Sequence, residues 1–445
     1  MNSEPRGFSA FIRSRRPATL VVLGYALYIA SGFVMLCLPF AQAGHGVSWL
    51  DNLFTATSAV STTGLATVSP GTRYSLFGEL VIAGLIQVGG IGYMTLGSFV
   101  MLALRHRLDD MHRGVARTAF VLPERMNLAR FIRNVVGFTL VIEVVGAAAL
   151  ALLFARAGAP EPIWNGIFHS ISAFCTAGFS LFDNSLEDYR ANTGINMVVA
   201  ALSYLGAIGF IVMSDWWRWL TTRQRRSLTS RIILRVTFWL ALIGTVVIAL
   251  TDTGLAKLGL EERLLASFFQ TMTAMTTVGF DTYPIAGMSS ASILLLIVAM
   301  VMGASPSGTG GGLKSTTIAI FYGAVRSTLA GRARIGLLGR DIGAARIQMA
   351  MAATGMYVGT LVIGVTTLML VERQGFLPLL FESASAIGTV GLSLGATGAL
   401  TSVGKLVVIA MMFVGRLGPI TLGMALFPPP SRRQAMAGHV EDLAV

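Results

Sequence analysis

Charged residues are scarce in this chain. Only 12% of its 445 residues are Asp, Glu, Lys or Arg, whereas 54% are hydrophobic; soluble domains typically carry about 25% charged residues. This composition excludes a soluble globular protein. Repeated apolar stretches of roughly 20 residues are long enough to cross a bilayer, so the sequence predicts a polytopic membrane protein. The first stretch, 19–42, is longer than a signal-peptide core and lacks a small-residue cleavage site, so we expect the mature protein to retain it.

Cysteine is almost absent as well. Cys37 and Cys175 are the two cysteines of the sequence, and both fall in or beside apolar runs. They lack the CxxC spacing that is typical of metal ligands. Neither a metal site nor a disulfide framework is therefore indicated.

The net charge of +12 would suit a nucleic-acid-binding protein, but the basic residues are distributed in another way. Of the 33 Lys and Arg residues, 24 fall in five places: 6–16, 105–133, 218–235, 326–346 and 432–433. A bias that alternates with every second apolar stretch follows the positive-inside rule and predicts that both termini, 1–18 and 428–445, are cytoplasmic. We expect no nucleic-acid partner, because a patch that binds nucleic acid would not alternate in this way.

One short pattern occurs four times. It has the form F-x3-[ST]-A-x2-T-x-G-[LF] and lies in 49–65, 164–179, 268–280 and 380–392. Its phenylalanines are Phe54, Phe168, Phe269 and Phe381, and its glycines are Gly64, Gly178, Gly279 and Gly391. Successive glycines are 114, 101 and 112 residues apart. The chain therefore consists of four copies of one unit.

Each copy lies between two apolar stretches. The preceding stretches are 19–42, 131–155, 232–251 and 347–371, and the following ones are roughly 76–104, 195–220, 289–328 and 402–427. The copy itself offers about 10–14 helix-compatible residues, too few to cross a membrane. The sequence thus predicts an all-α polytopic membrane protein with eight spans, in four pore repeats: 19–104, 131–220, 232–328 and 347–427.

The four short segments are predicted to be re-entrant loops that form a filter. Backbone at membrane depth is tolerated only beside protein or a water-filled path, so four such loops can meet in a pseudo-fourfold arrangement around one central pore. Glycine allows a backbone turn that a Cβ forbids, and a ring of carbonyls can replace the hydration shell of a cation. The alternative is a set of tight turns with glycine as a helix C-cap. The predicted filter residues are Thr62, Thr63, Gly64, Thr176, Ala177, Gly178, Thr277, Val278, Gly279, Thr389, Val390 and Gly391.

Acidic residues flank the copies and would give such a pore a negative mouth. They are Asp51, Asp183, Glu187, Asp188, Glu261, Glu262, Asp281 and Glu382. For Asp51, Glu261, Glu262 and Glu382, capping of a helix start or matching of its dipole is an ordinary alternative.

A glycine-rich stretch, GASPSGTGGGLKST, occupies 303–316 inside the apolar stretch of the third repeat. The corresponding positions in the other repeats, around Gly89, Gly206 and Gly415, carry small residues, which let helices pack closely. A helix that is broken at mid-membrane makes sense beside a cavity, so we expect 303–314 to project into the permeation path beneath the filter as a gate. The predicted gate residues are Gly303, Ser305, Ser307, Gly308, Thr309, Gly310, Gly311, Gly312, Lys314 and Arg416.

A phosphate-binding loop is the alternative interpretation of the same stretch. That motif requires glycine directly before the lysine, and here Leu313 precedes Lys314. No cluster of carboxylates or histidines accompanies the stretch, so an enzyme is not expected.

Ionisable residues inside apolar stretches are functional hypotheses by default. Arg416 either holds the loop through its carbonyls or acts as an electrostatic barrier to cations, and Lys314 either takes part in gating or extends towards the cytoplasm. Glu143 is a partner for one of these two cations or a packing residue. His169, beside the second filter segment, is expected to be packed rather than functional.

Together the four filter copies, GASPSGTGGGLKST and FVGRLGP (413–419) resemble the Ktr/Trk/HKT superfamily of potassium transporters, with KtrB membrane subunits of bacteria as the nearest branch. The resemblance covers nearly the whole chain. It implies a pseudo-fourfold pore with K⁺ at the filter carbonyls, one filter glycine per repeat, and an intramembrane loop that gates with the arginine. It also implies gated potassium uptake across the bacterial plasma membrane, by a homodimer on a KtrA-like cytosolic ring that binds the regulatory nucleotide.

Two points stay open after the resemblance. The alternative function is a sodium-permeable or sodium-coupled transporter of the same superfamily, and sodium could also be an activator; the uniform glycines argue against a sodium-selective filter, which the resemblance links to serine in the first copy. The basic inner loops would serve to dock the ring, but they equally serve topology and contact with anionic membrane lipid. Ala177, where the other copies have Thr63, Val278 and Val390, is expected to point away from the axis.

Overall fold

A computed structural model describes residues 17–44, 46–92, 128–223, 226–306 and 308–426. Ser307, both predicted cytoplasmic tails except for residues 17 and 18, and the end of the first predicted repeat (93–104) lie outside the described residues.

The first repeat begins with a long apolar helix and continues with a short one. Helix α1 is Pro17–Leu36, α2 is Trp49–Val60, α3 is the single turn Pro70–Arg73 and α4 is Leu76–Gln87. Ser48 caps α2, because its side chain accepts a hydrogen bond from the N–H of Asp51. Helix α4 passes directly into a π-helical turn, Val88–Gly92. This turn lies at the end of the described range 46–92.

The second repeat follows the same plan with one sharp bend. Helix α5 is Leu128–Arg156, α6 is Pro162–Phe174, α7 is Thr193–Ile208 and α8 is Phe210–Thr222. Helices α7 and α8 are bent by 95° relative to each other, because Gly209 between them has a φ of 85°.

In the third repeat a loop separates the two halves of the last stretch. Helix α9 is Leu228–Thr251, α10 is Leu260–Thr276, α11 is Ser290–Val301 and α12 is Ser315–Leu329. A small antiparallel hairpin follows, with β1 at Gly336–Leu337 and β2 at Arg340–Asp341. Leu337 of this hairpin packs in a cluster with Ile232 and Ala319.

The fourth repeat completes the series. Helix α13 is Ala344–Val371, α14 is Phe376–Gly388, α15 is Ser402–Leu417 and α16 is Pro419–Leu426. Among the described residues, four helices are long and apolar enough to cross a membrane, and each of them opens a repeat: Ala18–Leu36, Arg133–Arg156, Leu228–Thr251 and Ala344–Val371.

The closing stretches of the repeats differ from the sequence prediction. Unbroken spans over 195–220 and 402–427 were expected, and both expectations are wrong. Gly209 and Gly418 have φ values of 85° and 78°, a left-handed conformation that favours glycine and ends a helix. Glycines at this position therefore end helices α7 and α15, in addition to allowing close helix packing. Among the described residues, the loop of the third repeat is the longest interruption of a closing stretch.

Candidate functional site

The four copies of the repeated pattern fold alike. Each occupies the C-terminal end of a short helix, and its phenylalanine is no more than 1% exposed. These side chains, Phe54, Phe168, Phe269 and Phe381, anchor the short helices in the core. The three residues T-x-G that follow each helix are called a filter segment below.

Each filter segment begins with a threonine in the left-handed backbone region. The φ values are 50° for Thr62, 52° for Thr176, 59° for Thr277 and 48° for Thr389. Such a conformation is an outlier for a β-branched residue, and strain of this kind concentrates at functional sites where the surrounding structure holds it. Its fourfold occurrence indicates a conformation that the site requires.

The Ser or Thr of the pattern holds the filter segment in place. Its backbone carbonyl accepts a hydrogen bond from the middle filter residue at 2.8 to 3.1 Å in all four repeats. In three repeats its hydroxyl also accepts the N–H of the filter glycine: Ser58 to Gly64 at 3.1 Å, Thr273 to Gly279 at 3.0 Å and Ser385 to Gly391 at 3.0 Å. These bonds use backbone N–H groups and leave the filter carbonyls for another partner.

The four filter glycines form a closed ring. All have positive φ: 92° for Gly64, 64° for Gly178, 88° for Gly279 and 103° for Gly391. A Cβ on any of them would lie 2.0 to 2.3 Å from the carbonyl oxygen of the middle filter residue in the next repeat. The contacts run from Gly64 to Ala177, Gly178 to Val278, Gly279 to Val390, and Gly391 to Thr63. They return to the starting repeat, so four carbonyls and four glycines surround one axis with no room for a side chain.

An open cavity lies on one side of the glycine ring. It measures ≈ 260 Å³ and is lined by all four glycines and by the loops that follow them. Two carboxylates line it, Asp183 and Asp281. Ser69 donates a hydrogen bond to Asp183, and the hydroxyl of Ser185 accepts the N–H of Asp281 at 3.1 Å. A cation that approaches the ring from this side passes these two aspartate side chains.

The predicted negative mouth is correspondingly smaller than the sequence suggested. Lys405 pairs with Asp51 at 2.6 Å, Arg190 pairs with Glu262 at 2.6 Å, and Glu382 is fully buried. Of the eight acids proposed for the mouth, only the two aspartates of the cavity lie at the ring; Glu187, Asp188 and Glu261 are also absent from the cavity lining.

Loop 303–314 lies against the other side of the ring. Thr309 donates its N–H to the carbonyl of Gly206 at 3.1 Å, and its hydroxyl donates to the carbonyl of Phe174 at 3.1 Å. The hydroxyl of Thr277, a filter residue, accepts the N–H of Gly311 at 2.9 Å. The hydroxyl of Thr176 in the second filter segment also donates to that of Thr309 at 3.2 Å, so the loop touches the second and third filter segments directly.

The glycines of the loop are explained by close approach of backbone to backbone. A Cβ on Gly308 would lie 2.3 Å from the carbonyl of Ala207, and one on Gly311 would lie 2.2 Å from the carbonyl of Gly388. Gly310 packs against Thr277. Gly303 and Gly312, which have positive φ, pack against each other with their Cα atoms. Ser305 fixes the loop to helix α7, because its N–H and hydroxyl donate to Ala207 at 3.2 and 2.7 Å.

Both intramembrane cations turn towards this loop. Arg416, only 8% exposed, donates from Nη1 to the carbonyl of Thr309 at 2.5 Å and from Nη2 to the carbonyl of Gly89 at 2.5 Å. Lys314 donates from Nζ to the carbonyl of Gly310 at 2.8 Å. These contacts match the first alternative for Arg416, in which it holds the loop by its carbonyls.

Two further residues from the sequence analysis have clear surroundings. His169 is fully buried, stacks on Phe182 and Phe280, and bonds to Ser180 at 2.9 Å, so the prediction that it is packed is confirmed. Glu143 accepts a hydrogen bond from Gln87, a partner that the sequence did not suggest, at 2.7 Å.

Comparison with known proteins identifies the family. The profile of the TrkH family, described as cation transport protein, matches residues 38–428. The chain is 33% identical over 414 residues to the Ktr system potassium uptake protein B of Bacillus subtilis, covering 91% of this chain and 92% of that protein. It is also 33% identical over 435 residues to the potassium/sodium uptake protein NtpJ of Enterococcus hirae, covering 96% of each. The chain belongs to the TrkH family.

The crystal structure of the potassium transporter TrkH from Vibrio parahaemolyticus has the same fold. It superposes with a TM-score of 0.71 at 20% identity, covering 96% of this chain and 87% of that one. The chain is therefore a multi-pass membrane protein of a TrkH cation transport family, a transporter rather than an enzyme.

The repeated pattern indicated that the four glycine segments meet, but it did not indicate which side chains hold them. Ser58, Thr273 and Ser385 were noticed as part of the pattern without a role, and their spacing of six residues before the glycine was the available signal. Gly89 was marked only as a small residue, and Gln87 carried no signal, because their partners lie in other repeats.

Proposed function

We propose that this chain is the ion-translocating subunit of a Ktr-type potassium uptake system. The glycine ring is the single observation that carries the proposal. Four backbone carbonyls at one level offer a cation a substitute for its hydration shell, and the two cavity aspartates attract it. The names of the two relatives described above, both of which include potassium uptake or potassium/sodium uptake, support potassium as the ion.

The proposed architecture is eight spans in pseudo-fourfold arrangement around one pore, in the bacterial plasma membrane, with both termini cytoplasmic. The four long opening helices supply half of the spans, and each broken closing stretch supplies another. The bias of basic residues towards alternate loops supports the orientation. The broken stretches are compatible with a membrane because irregular backbone is tolerated where it lines a cavity.

Loop 303–314 and Arg416 form the proposed gate. The loop lies directly beneath the filter segments, and it is held by hydrogen bonds to carbonyls of the second repeat and by one that Arg416 of the fourth repeat donates to it. Such contacts can be exchanged for water when the loop moves, which suits a part with two states.

A sodium-permeable transporter is the second candidate. The name of the Enterococcus hirae relative includes sodium, and a filter with one glycine per repeat offers fewer carbonyl sites than a longer one, so rejection of sodium is expected to be weaker. Sodium as an activator is a separate part of this proposal.

We further propose a homodimer that docks on a cytosolic nucleotide-binding ring. The name of the Bacillus subtilis relative, a Ktr system protein, supports a system with a partner. The basic inner loops would provide the docking surface or contact anionic lipid.

Rubidium uptake into liposomes that contain this chain alone tests the function, with potassium and sodium as competitors. An Arg416→Ala variant is measured in parallel, so that a closed gate is not mistaken for the absence of a pore. We expect uptake that follows the membrane potential and is inhibited by potassium more strongly than by sodium. Equal inhibition by sodium would favour the second candidate, and no uptake by either protein would contradict both.

A further inference from the structure

Glu143 is a buried carboxylate that neither the filter nor the loop uses. It lies within helix α5, the opening helix of the second repeat, and is 5% exposed. An ionisable group inside a membrane span is expensive and is rarely kept without a function. Its surroundings therefore deserve a physical explanation.

The carboxylate of Glu143 is bound to the end of another repeat's helix. Oε2 accepts the hydrogen bond from Nε2 of Gln87 at 2.7 Å. The thiol of Cys175 lies 3.7 Å from Oε1 of Glu143 and 3.7 Å from Oε1 of Gln87. Gly90 packs against this group of side chains, since a Cβ at Gly90 would lie 2.7 Å from the sulfur of Cys175.

Gln87 lies at the boundary between helix α4 and the turn that follows it. It is the last residue of α4, and the π-helical turn Val88–Gly92 begins directly after it. Turns of this type are rare and frequently occur at functional sites. Two residues beyond Gln87, the carbonyl of Gly89 accepts the hydrogen bond from Arg416. The residue at which α4 ends and the π-helical turn begins therefore determines the position of the Gly89 carbonyl.

We propose that Glu143 is a positioning residue of the gate. By fixing the side chain of Gln87, it places the carbonyl of Gly89 where Arg416 can bridge it to Thr309 of the loop. The closed state then depends on one contribution from each repeat: the carbonyl of Gly89, the carboxylate of Glu143, the loop and the guanidinium of Arg416. This inference rests on the gate described under the proposed function.

The test measures rubidium leak through liposomes that contain the full chain without a regulatory partner. Glu143→Ala is expected to raise the leak about tenfold, a typical size for coupling between linked sites. In the Arg416→Ala background the same change should add nothing, because both act on one contact. Glu143→Gln should restore a leak close to that of the unaltered chain, since an amide oxygen still accepts from Gln87.

Glu79→Ala is the matched control. Glu79 is also a buried carboxylate and lies in the first turn of α4, where it accepts a hydrogen bond from Nε1 of Trp164 at 2.5 Å, far from the π-helical turn. The rubidium leak of Glu79→Ala should equal that of the unaltered chain. A leak that rises equally in Glu79→Ala and Glu143→Ala would indicate general loosening and overturn the inference.

Other outcomes separate this inference from the proposed gate. If Arg416→Ala leaks no more than the unaltered chain, the gate itself is wrong and the inference falls with it. If Arg416→Ala leaks and Glu143→Ala does not, or if the two effects multiply, only the role of Glu143 is refuted. Should Glu143→Ala fail to fold, Gln87→Leu removes the same hydrogen bond from the other side, and the same leak and non-additivity with Arg416→Ala are required of it.

Discussion

The glycine ring and the layer directly beneath it differ in how the four repeats contribute. In the ring every repeat supplies the same atoms, a glycine Cα and the carbonyl before it, and each contact is repeated four times. In the layer beneath, the first repeat supplies the carbonyl of Gly89, the third supplies a loop, and the fourth supplies the side chain of Arg416. In the lower layer, positions that are equivalent among the repeats therefore have different roles.

This difference follows from what each layer has to do. A cation is spherical, and equal carbonyls on four sides replace its hydration shell with little preference for direction. A gate needs two states of similar free energy, and contacts through one arginine and one loop can be exchanged without disturbing the ring. Fourfold repetition is thus retained where the ion is bound and lost where the protein moves.

The largest expected effect comes from breaking the ring. In Gly279→Ser the new Cβ would lie 2.0 Å from the carbonyl of Val390, so the backbone must shift. We expect rubidium uptake to fall about 100-fold, as displacements near 1 Å do at positioned sites, and sodium to compete better for what remains. Gly359→Ser is the control, because no atom lies within 4 Å of its Cβ position. An unchanged preference for potassium, at normal amounts in the membrane, would remove the ring from its proposed role.

Breaking the lower layer should act in the opposite direction. Arg416→Ala, or deletion of 307–312, is expected to raise partner-free flux about tenfold, because a linked contact that holds the loop is lost. Arg416→Lys separates the two alternatives for this residue. A lysine keeps the charge but lacks the planar fork that bridges two carbonyls, so it should leak like Arg416→Ala if the loop is held by hydrogen bonds. Flux like that of the unaltered chain in Arg416→Lys would instead favour an electrostatic barrier.

The same contrast explains what could be predicted from the sequence. The ring could be predicted because each of its segments lies within one short pattern, F-x3-[ST]-A-x2-T-x-G-[LF], that occurs four times. The opening helices could be predicted because each is one continuous apolar run. The contact between Arg416 and Gly89 joins residues 327 apart, and the one between Ser305 and Ala207 joins residues 98 apart. No local pattern encodes such pairs.

The helix breaks were missed for a different reason. Gly209 and Gly418 stand inside apolar runs whose composition fits an unbroken span, although the pair Gly418-Pro419 was an available signal for a helix end. The residues just before the breaks are closely packed: a Cβ on Gly206 would lie 1.9 Å from the carbonyl of Phe174, and one on Gly415 would lie 2.2 Å from that of Ile387. Helices α7 and α15 each end two residues after these close contacts, at Ile208 and Leu417.

A smaller effect is expected from the hydroxyls that hold the filter glycines. Thr273→Val removes one hydrogen bond to Gly279 and keeps the shape of the side chain. We expect the preference for potassium over sodium to fall about fivefold, the equivalent of ~1 kcal/mol for one hydrogen bond. Ser172→Ala is the matched control at the same position of the second repeat, where the hydroxyl has no partner among the described residues. Equal effects of the two changes would show that the hydroxyl does not position the glycine.

The smallest effect should come from the cavity above the ring. Asp183→Asn and Asp281→Asn each remove one carboxyl group from the cavity wall without changing the glycines. We expect the KM for rubidium to rise about twofold at low ionic strength and to return to its ordinary value in ~0.15 M salt, where charges more than about 8 Å apart are screened. Glu262→Gln is the control, because its charge is already paired with Arg190. A rise in KM that persists in salt would mean that an aspartate binds the ion directly, which would extend the conducting site beyond the ring of backbone carbonyls.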